Sequence, residues 1–172
     1  MSRFDACLAP VLQHEGGFSN NPADPGGATN KGVTQRTYDN YRRRKGLPLQ
    51  SVKLISDDDL HEIYSSFWGA AHCGELPAGV DYIVFDLAVN SGPQRAVKFL
   101  QRAVMVTADG SFGPITRTQV ASRRPADIIA SIYAQRRAFY HEQPSFPVFG
   151  QGWLKRLEEV FALALSMAKG SL

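Results

Sequence analysis

Apolar residues recur at helical spacing almost from the start of the chain. Phe4, Leu8 and Val11 follow one another in steps of four and three. Cys7 and Leu12 lie beside them, and Glu15 falls in register at the next step. Ser2 is an N-cap residue in front of this pattern, and Gly16-Gly17 ends it. The stretch onward to Asn30 is too polar for a core strand. Its Asp24-Pro25-Gly26-Gly27 run is turn chemistry, around which a short hairpin can form. Thr34 opens a second helical pattern that carries Tyr38 and Tyr41. It ends in Arg42-Arg43-Arg44-Lys45, basic residues that suit the negative end of a helix.

Ser56 with Asp57, Asp58 and Asp59 marks the next helix start, and Leu60, Ile63, Tyr64, Phe67 and Trp68 follow at helical spacing. From Tyr82 to Val89 every residue except Asp86 is apolar, which predicts a helix buried on most sides. Asn90-Ser91-Gly92-Pro93 ends it and opens another helix, whose apolar face is Ala96, Val97, Leu100 and Val104. Pro114 suits a first helical turn, and Pro125 opens a helix carrying Ile128, Ile129, Ile132, Phe139 and Tyr140. Trp153, Leu154, Leu157, Val160, Phe161 and Leu165 mark a last helix, stopped by Gly170. No strand alternation is sustained. The predicted class is mainly α, with a small β-hairpin or loop excursion near residues 18–34.

Composition narrows the picture only in places. At 172 residues the chain suits one domain, or one with a small appendage, and 44% hydrophobic content is ordinary for a globular protein. Charge is uneven. Residues 1–90 hold 8 Lys/Arg against 11 Asp/Glu, a net of −3; residues 91–172 hold 11 against 5, a net of +6. The basic half suits an anionic partner such as a cell wall, although a solvated basic face explains it too. It lacks interleaved aromatics or a recognition-helix signature, so no nucleic acid is expected. Cys7 and Cys73 read as reduced core residues. The N-terminus lacks a signal-peptide core, and no apolar run approaches the length of an integral membrane segment. The expectation is synthesis in the cytoplasm, with export to an extracytoplasmic substrate by another agent. His14, His61, His72 and His141 show no metal-site spacing, and no cofactor is implied.

Candidate chemistry centres on Glu15. Cleaving a glycosidic bond needs a proton on the leaving oxygen and negative charge or an activated water near the positive sugar centre. A glutamate on an apolar stripe at a helix C-terminus has burial and the helix dipole both acting to raise its pKa, as a general acid requires. Asp24, in a polar Asn-rich loop, has the opposite environment. Nine residues through a hairpin can bring the pair to roughly 6.5–9.5 Å, leaving room for a water. Thr29, Asn30 and Thr34 are placed to orient that water or a sugar. Spacing alone leaves the plainer alternative open, in which Glu15 is a surface carboxylate and Asp24 a turn residue.

Several motifs go further. His14-Glu15-Gly16-Gly17-Phe18-Ser19-Asn20, Asp24-Pro25-Gly26-Gly27, Thr29-Asn30 and Gly32-Val33-Thr34-Gln35 together resemble glycoside hydrolase family 108, the N-acetylmuramidases of phage endolysins and bacterial secretion-activating proteins. Leu76–Asp81, Phe85–Gly92, Leu100-Gln101, Asp109-Gly110 and Gly113–Thr116 continue the resemblance over nearly the whole chain. It implies a lysozyme-like helical fold, a catalytic glutamate at Glu15 and a C-terminal part similar to predicted peptidoglycan-binding segments. The Glu15–Asp24 spacing also looks like that of inverting phage-type lysozymes, although Thr29 falls one residue short of their pattern.

The resulting expectation is a muramidase that hydrolyses the β-1,4 bond between N-acetylmuramic acid and N-acetylglucosamine, with peptidoglycan glycan strands as partner. Two parts are expected, a catalytic one at 1–92 and a peptidoglycan-binding-like one at 93–172, packed as one compact monomer. A holin or another secretion route would deliver it. Phe18 and Tyr82 are candidates for stacking on sugars, with core packing as the alternative for each. Asn90 is a candidate substrate contact, and Asp86 a structural support. A lytic transglycosylase using the same Glu15, or a wall-binding protein without catalysis, stays open.

Overall fold

The computed structural model describes residues 2–20 and 27–170. It is mainly helical, with one two-stranded antiparallel sheet among the described residues. The chain divides into two units, Met1–Ser66 and Phe67–Leu172.

In the first unit, α1 (Arg3–His14) starts at a full capping box. Ser2 Oγ accepts from the Asp5 N–H, and the Asp5 carboxylate accepts from the Ser2 N–H, both at 3.1 Å. The helix buries Cys7, Leu8 and Val11, as the spacing predicts. Glu15 leaves it in extended conformation, its N–H donating back to the Leu12 carbonyl. Neither Gly16 nor Gly17 adopts positive φ, so the helix does not end in a left-handed glycine cap.

Strands β1 (Thr29–Asn30) and β2 (Val33–Thr34) pair with Thr29 opposite Thr34 and Asn30 opposite Val33. The hairpin lies within the expected stretch, and its two-residue turn is Lys31-Gly32, with φ of 47° and 75°. Positive φ at both central positions is the geometry whose twist matches paired strands. Ser19 adds a bridge to Thr29 through two bonds of 2.8 Å. Asp24, Pro25 and Gly26, where the sequence suggests a turn, lie outside the described residues.

Thr34 caps α2 (Gln35–Arg44) through its hydroxyl. Tyr38 and Tyr41 are buried, and both hydroxyls donate to Asp59 on α3 (Asp57–Ala70), at 2.7 and 3.0 Å. Burial and then Asp59 push the Tyr41 hydroxyl pKa upward, so the phenol stays a donor.

The second unit is built on α4 (Val80–Ser91), in which every residue from Val80 to Ala88 is buried. Helices α5 (Pro93–Ala103), α7 (Pro125–His141) and α8 (Phe146–Ala168) pack on α4, and α6 (Pro114–Ala121) lies between α5 and α7 in sequence. Gly79 opens α4 at a φ of 81°, against the Ala164 carbonyl of α8, where a side chain has no room. α4 precedes residue 92, yet these three packing partners all follow it. None of the helices among the described residues is long and apolar enough to cross a membrane.

Candidate active site

Three segments of the first unit converge on one point. The end of α1 brings Glu15, the hairpin turn brings Gly32, and α3 brings Tyr64. A Cβ on Gly32 would stand 2.5 Å from the Tyr64 hydroxyl oxygen and 2.6 Å from Glu15 Oε2. The glutamate carboxylate and the tyrosine hydroxyl therefore occupy the space above a backbone that only glycine leaves open. The Tyr64 hydroxyl also donates to the Lys31 carbonyl at 2.8 Å, pinning the turn. Lys31 N–H donates to the Gly16 carbonyl at 3.1 Å, tying the turn to the residue after Glu15. The half-buried Glu15 is thus held from both sides of its own backbone.

A cleft of about 610 Å³ opens at this glutamate. Leu8, Leu12 and Leu60 give it an apolar wall, while Lys31, Asp57 and His61 add polar groups. Lys31 Nζ pairs with Asp57 at 2.8 Å, and His61 Nε2 lies 3.0 Å from Asp5 Oδ1. The arrangement offers a positioned carboxyl group beside both apolar surface and hydrogen-bonding groups, which is what protonation of a bound, largely apolar-faced sugar needs.

The other expected residues fall into distinct places. Phe18 is 41% exposed, with Lys53 Nζ 5.5 Å from its ring centre, so it is available for stacking and is not core. Asn30 is buried, and its amide donates to the Val52 and Lys53 carbonyls at 3.2 Å each. Its amide N–H groups hold the 3₁₀ turn Val52–Leu54. The Thr34 hydroxyl serves α2 as cap, and the Thr29 hydroxyl donates to the Gly27 carbonyl at 3.3 Å. Asp24 lies outside the described residues.

In the second unit Tyr82 is fully buried and presents no ring face to a sugar, a correction to the stacking expectation. Helix α4 is covered on nearly every side, and both its aromatic residues, Tyr82 and Phe85, serve the core. Asn90 is exposed at the end of α4, where its amide donates to the Asp86 carbonyl at 2.9 Å. Asp86 is wholly buried and gripped by Arg136 and Arg156, each at 2.8 Å. Burial works to raise its carboxyl pKa, but the two guanidinium groups outweigh it and hold the group below the usual carboxylate range. Its contacts tie α4 to α7 and α8, so its side chain serves the helix packing.

The family model "Glycosyl hydrolase 108" matches residues 8–92, and the model "Predicted Peptidoglycan domain" matches residues 95–158. A solved structure of Brucella abortus SagA is 35% identical to this chain, covers 96% of it and 95% of its own length, and superposes with a TM-score of 0.87. The chain belongs to glycosyl hydrolase family 108. Among curated proteins no relative matches.

As a member of family 108 the protein is a glycoside hydrolase, a muramidase acting on peptidoglycan. The family assignment gives physical sense to motifs of the second matched segment. Gln101 is buried and uses both ends of its amide. Nε2 donates to Asp109 Oδ1 at 2.7 Å and to the Ser111 carbonyl at 3.0 Å, while Oε1 accepts from the Gly110 N–H at 2.8 Å. Gly110 sits at a φ of 85°. Leu100-Gln101 and Asp109-Gly110 are therefore the two halves of one loop clamp. The sequence does not single out Gly32, Tyr64, Arg136 or Arg156 as site or support residues, although Gly32 falls in a family motif and Tyr64 in a helical pattern. Gly32 alone carried a local signal, an Xaa-Gly pair between the β-forming Thr29-Asn30 and Val33-Thr34.

Proposed function

We propose that Glu15 is the general acid of this muramidase and that the bond it cleaves is the β-1,4 link between N-acetylmuramic acid and N-acetylglucosamine. The observation that carries the reading is the convergence of α1, the Lys31-Gly32 turn and Tyr64 on one carboxylate at a cleft. In the reaction Glu15 gives its proton to the glycosidic oxygen as the bond to the anomeric carbon breaks. A water then adds to the oxocarbenium-like centre. Asp24 enters through its spacing from Glu15, which looks like that of inverting phage-type lysozymes, as the group that activates this water from the opposite face. Phe18 offers its exposed ring to a sugar face, and Thr29 lies on the strand that leads into the turn.

The place of action on this reading is the cell wall, reached through a holin or another secretion route, in phage lysis or in local loosening of the wall. The decisive measurement is sacculus clearing by Glu15→Gln. The amide keeps the shape and cannot donate the proton, so the rate should fall roughly 10²–10⁴-fold with an unchanged melting temperature. Clearing near the wild-type rate overturns the assignment. Mass spectrometry of the released muropeptides separates hydrolysis, which adds a water, from transglycosylation, which leaves an anhydro end.

A further inference from the structure

Between α5 and α7 of the second unit lies an open cavity of about 770 Å³. Helix α5 lines it with Arg95, Lys98 and Arg102, spaced by three and four residues and so projecting from one face. Across the cavity stand Phe139 of α7 and Glu142, the residue that caps the end of that helix. The Arg95 guanidinium lies 5.1 Å from the centre of the Phe139 ring, and that of Arg102 lies 5.4 Å from the centre of Phe99. A guanidinium resting on an aromatic face loses some of its freedom, and its N–H edge remains available to an incoming carboxylate. Among the described residues no salt bridge engages Arg95, Arg102 or Glu142, and Lys98 acts on the Asp109 carboxylate only at longer range, whereas Arg117, Arg136 and Arg156 in the same unit each hold a carboxylate. The cavity is therefore a concave wall of three cations and one anion with aromatic backing, inside the segment that matches the peptidoglycan model.

We propose that this cavity binds the stem peptide of peptidoglycan, with Arg95, Lys98 and Arg102 receiving its carboxylates and Glu142 a free amine. The glycan backbone is mostly neutral hydroxyl and acetamido groups, which have little use for three cations. An uncross-linked stem carries several carboxylates and, where its third residue is a diamino acid, one amine, the same excess of sign in reverse. The inference rests on the reading of the chain as a peptidoglycan enzyme and is independent of Glu15.

The test uses the full chain and a soluble tetrapeptide, L-Ala-γ-D-Glu-meso-diaminopimelate-D-Ala, titrated by calorimetry or by NMR shifts. The peptide contains no glycosidic bond, so a failure of the Glu15 assignment leaves this measurement untouched. Saturable binding is expected at low salt, weakening as salt rises because the charges are at the surface. Arg95→Ala combined with Arg102→Ala should weaken it about 2- to 30-fold, the range for two exposed charge pairs. A tetrapeptide with its carboxylates converted to carboxamides should lose affinity to a similar degree on the wild-type protein. That arm decides the matter if the double variant melts early. Absence of saturable binding, carboxamide binding as tight as the free acid, or equal binding of an unrelated oligonucleotide overturns the proposal.

Discussion

Gly32→Ala is the substitution that most sharply probes how Glu15 is held. Two costs add. The residue sits at a φ of 75°, where a side chain is strained by about 1–2 kcal/mol. The new methyl would also stand 2.6 Å from Glu15 Oε2 and 2.5 Å from the Tyr64 hydroxyl, where ordinary contact begins near 3.4 Å. Something must move by roughly 0.8 Å, and the carboxylate is the end of the more flexible side chain. A displacement near 1 Å at a reacting group can cost about 100-fold in rate. The destabilisation, roughly 1–3 kcal/mol, corresponds to a melting point lower by a few degrees and at most about 12 °C in a chain of this size. Sacculus clearing at 25 °C, where most of the protein stays folded, should fall roughly 100-fold, far beyond the loss of folded protein. Combining the change with Tyr64→Phe removes the closest clashing atom, so the double variant should lose less stability than the two single losses predict together. Activity within about twofold of wild type, with melting unchanged, would show that the Glu15 carboxylate does not rest on this turn and would refute the reasoning.

Asp86→Ala leaves the fully buried Arg136 without its carboxylate and should cost about 3–5 kcal/mol, read as a melting temperature lower by roughly 10 °C. Because the folded Asp86 pKa is depressed, its contribution is full above the unfolded value near 4 and is lost as pH falls through the folded value. Wild-type melting should therefore fall more steeply than that of Asp86→Asn over that acid window. Gln101→Ala unties the loop at Asp109–Ser111 and should lower melting by several degrees, through about 2 kcal/mol of unmet hydrogen bonding, while a Gln101→Glu variant, which cannot donate to Asp109, should fare no better. Asp24→Asn should slow clearing strongly if the carboxylate activates water; activity within about threefold of wild type removes Asp24 from the mechanism and leaves it a turn residue.

The local sequence was enough to determine where α1, α2 and α3 start and which helix is most enclosed, whereas α8 begins at Phe146, well before the Trp153 at which its apolar pattern becomes legible. Ser2 and Asp5 cap α1, Cys7, Leu8 and Val11 form its buried stripe, and the near-continuous apolar run around Asp86 marks α4 as the most enclosed helix. Such features depend on residues a few positions apart, and periodicity reports them directly. The end of α1 also brought Glu15 forward as the candidate acid. Periodicity says which face is covered but not by what, so partners were decided by tertiary packing alone. Tyr64 reaches the Lys31 carbonyl across 33 positions, and Arg156 reaches Asp86 across 70. The same limit explains why Phe18 and Tyr82 look alike in sequence, yet one is exposed beside the hairpin and the other is sealed in a helix core. What makes Glu15 a held group is the absence of a single Cβ at Gly32. Only the meeting of α1, the hairpin and α3 turns that small vacancy into a requirement.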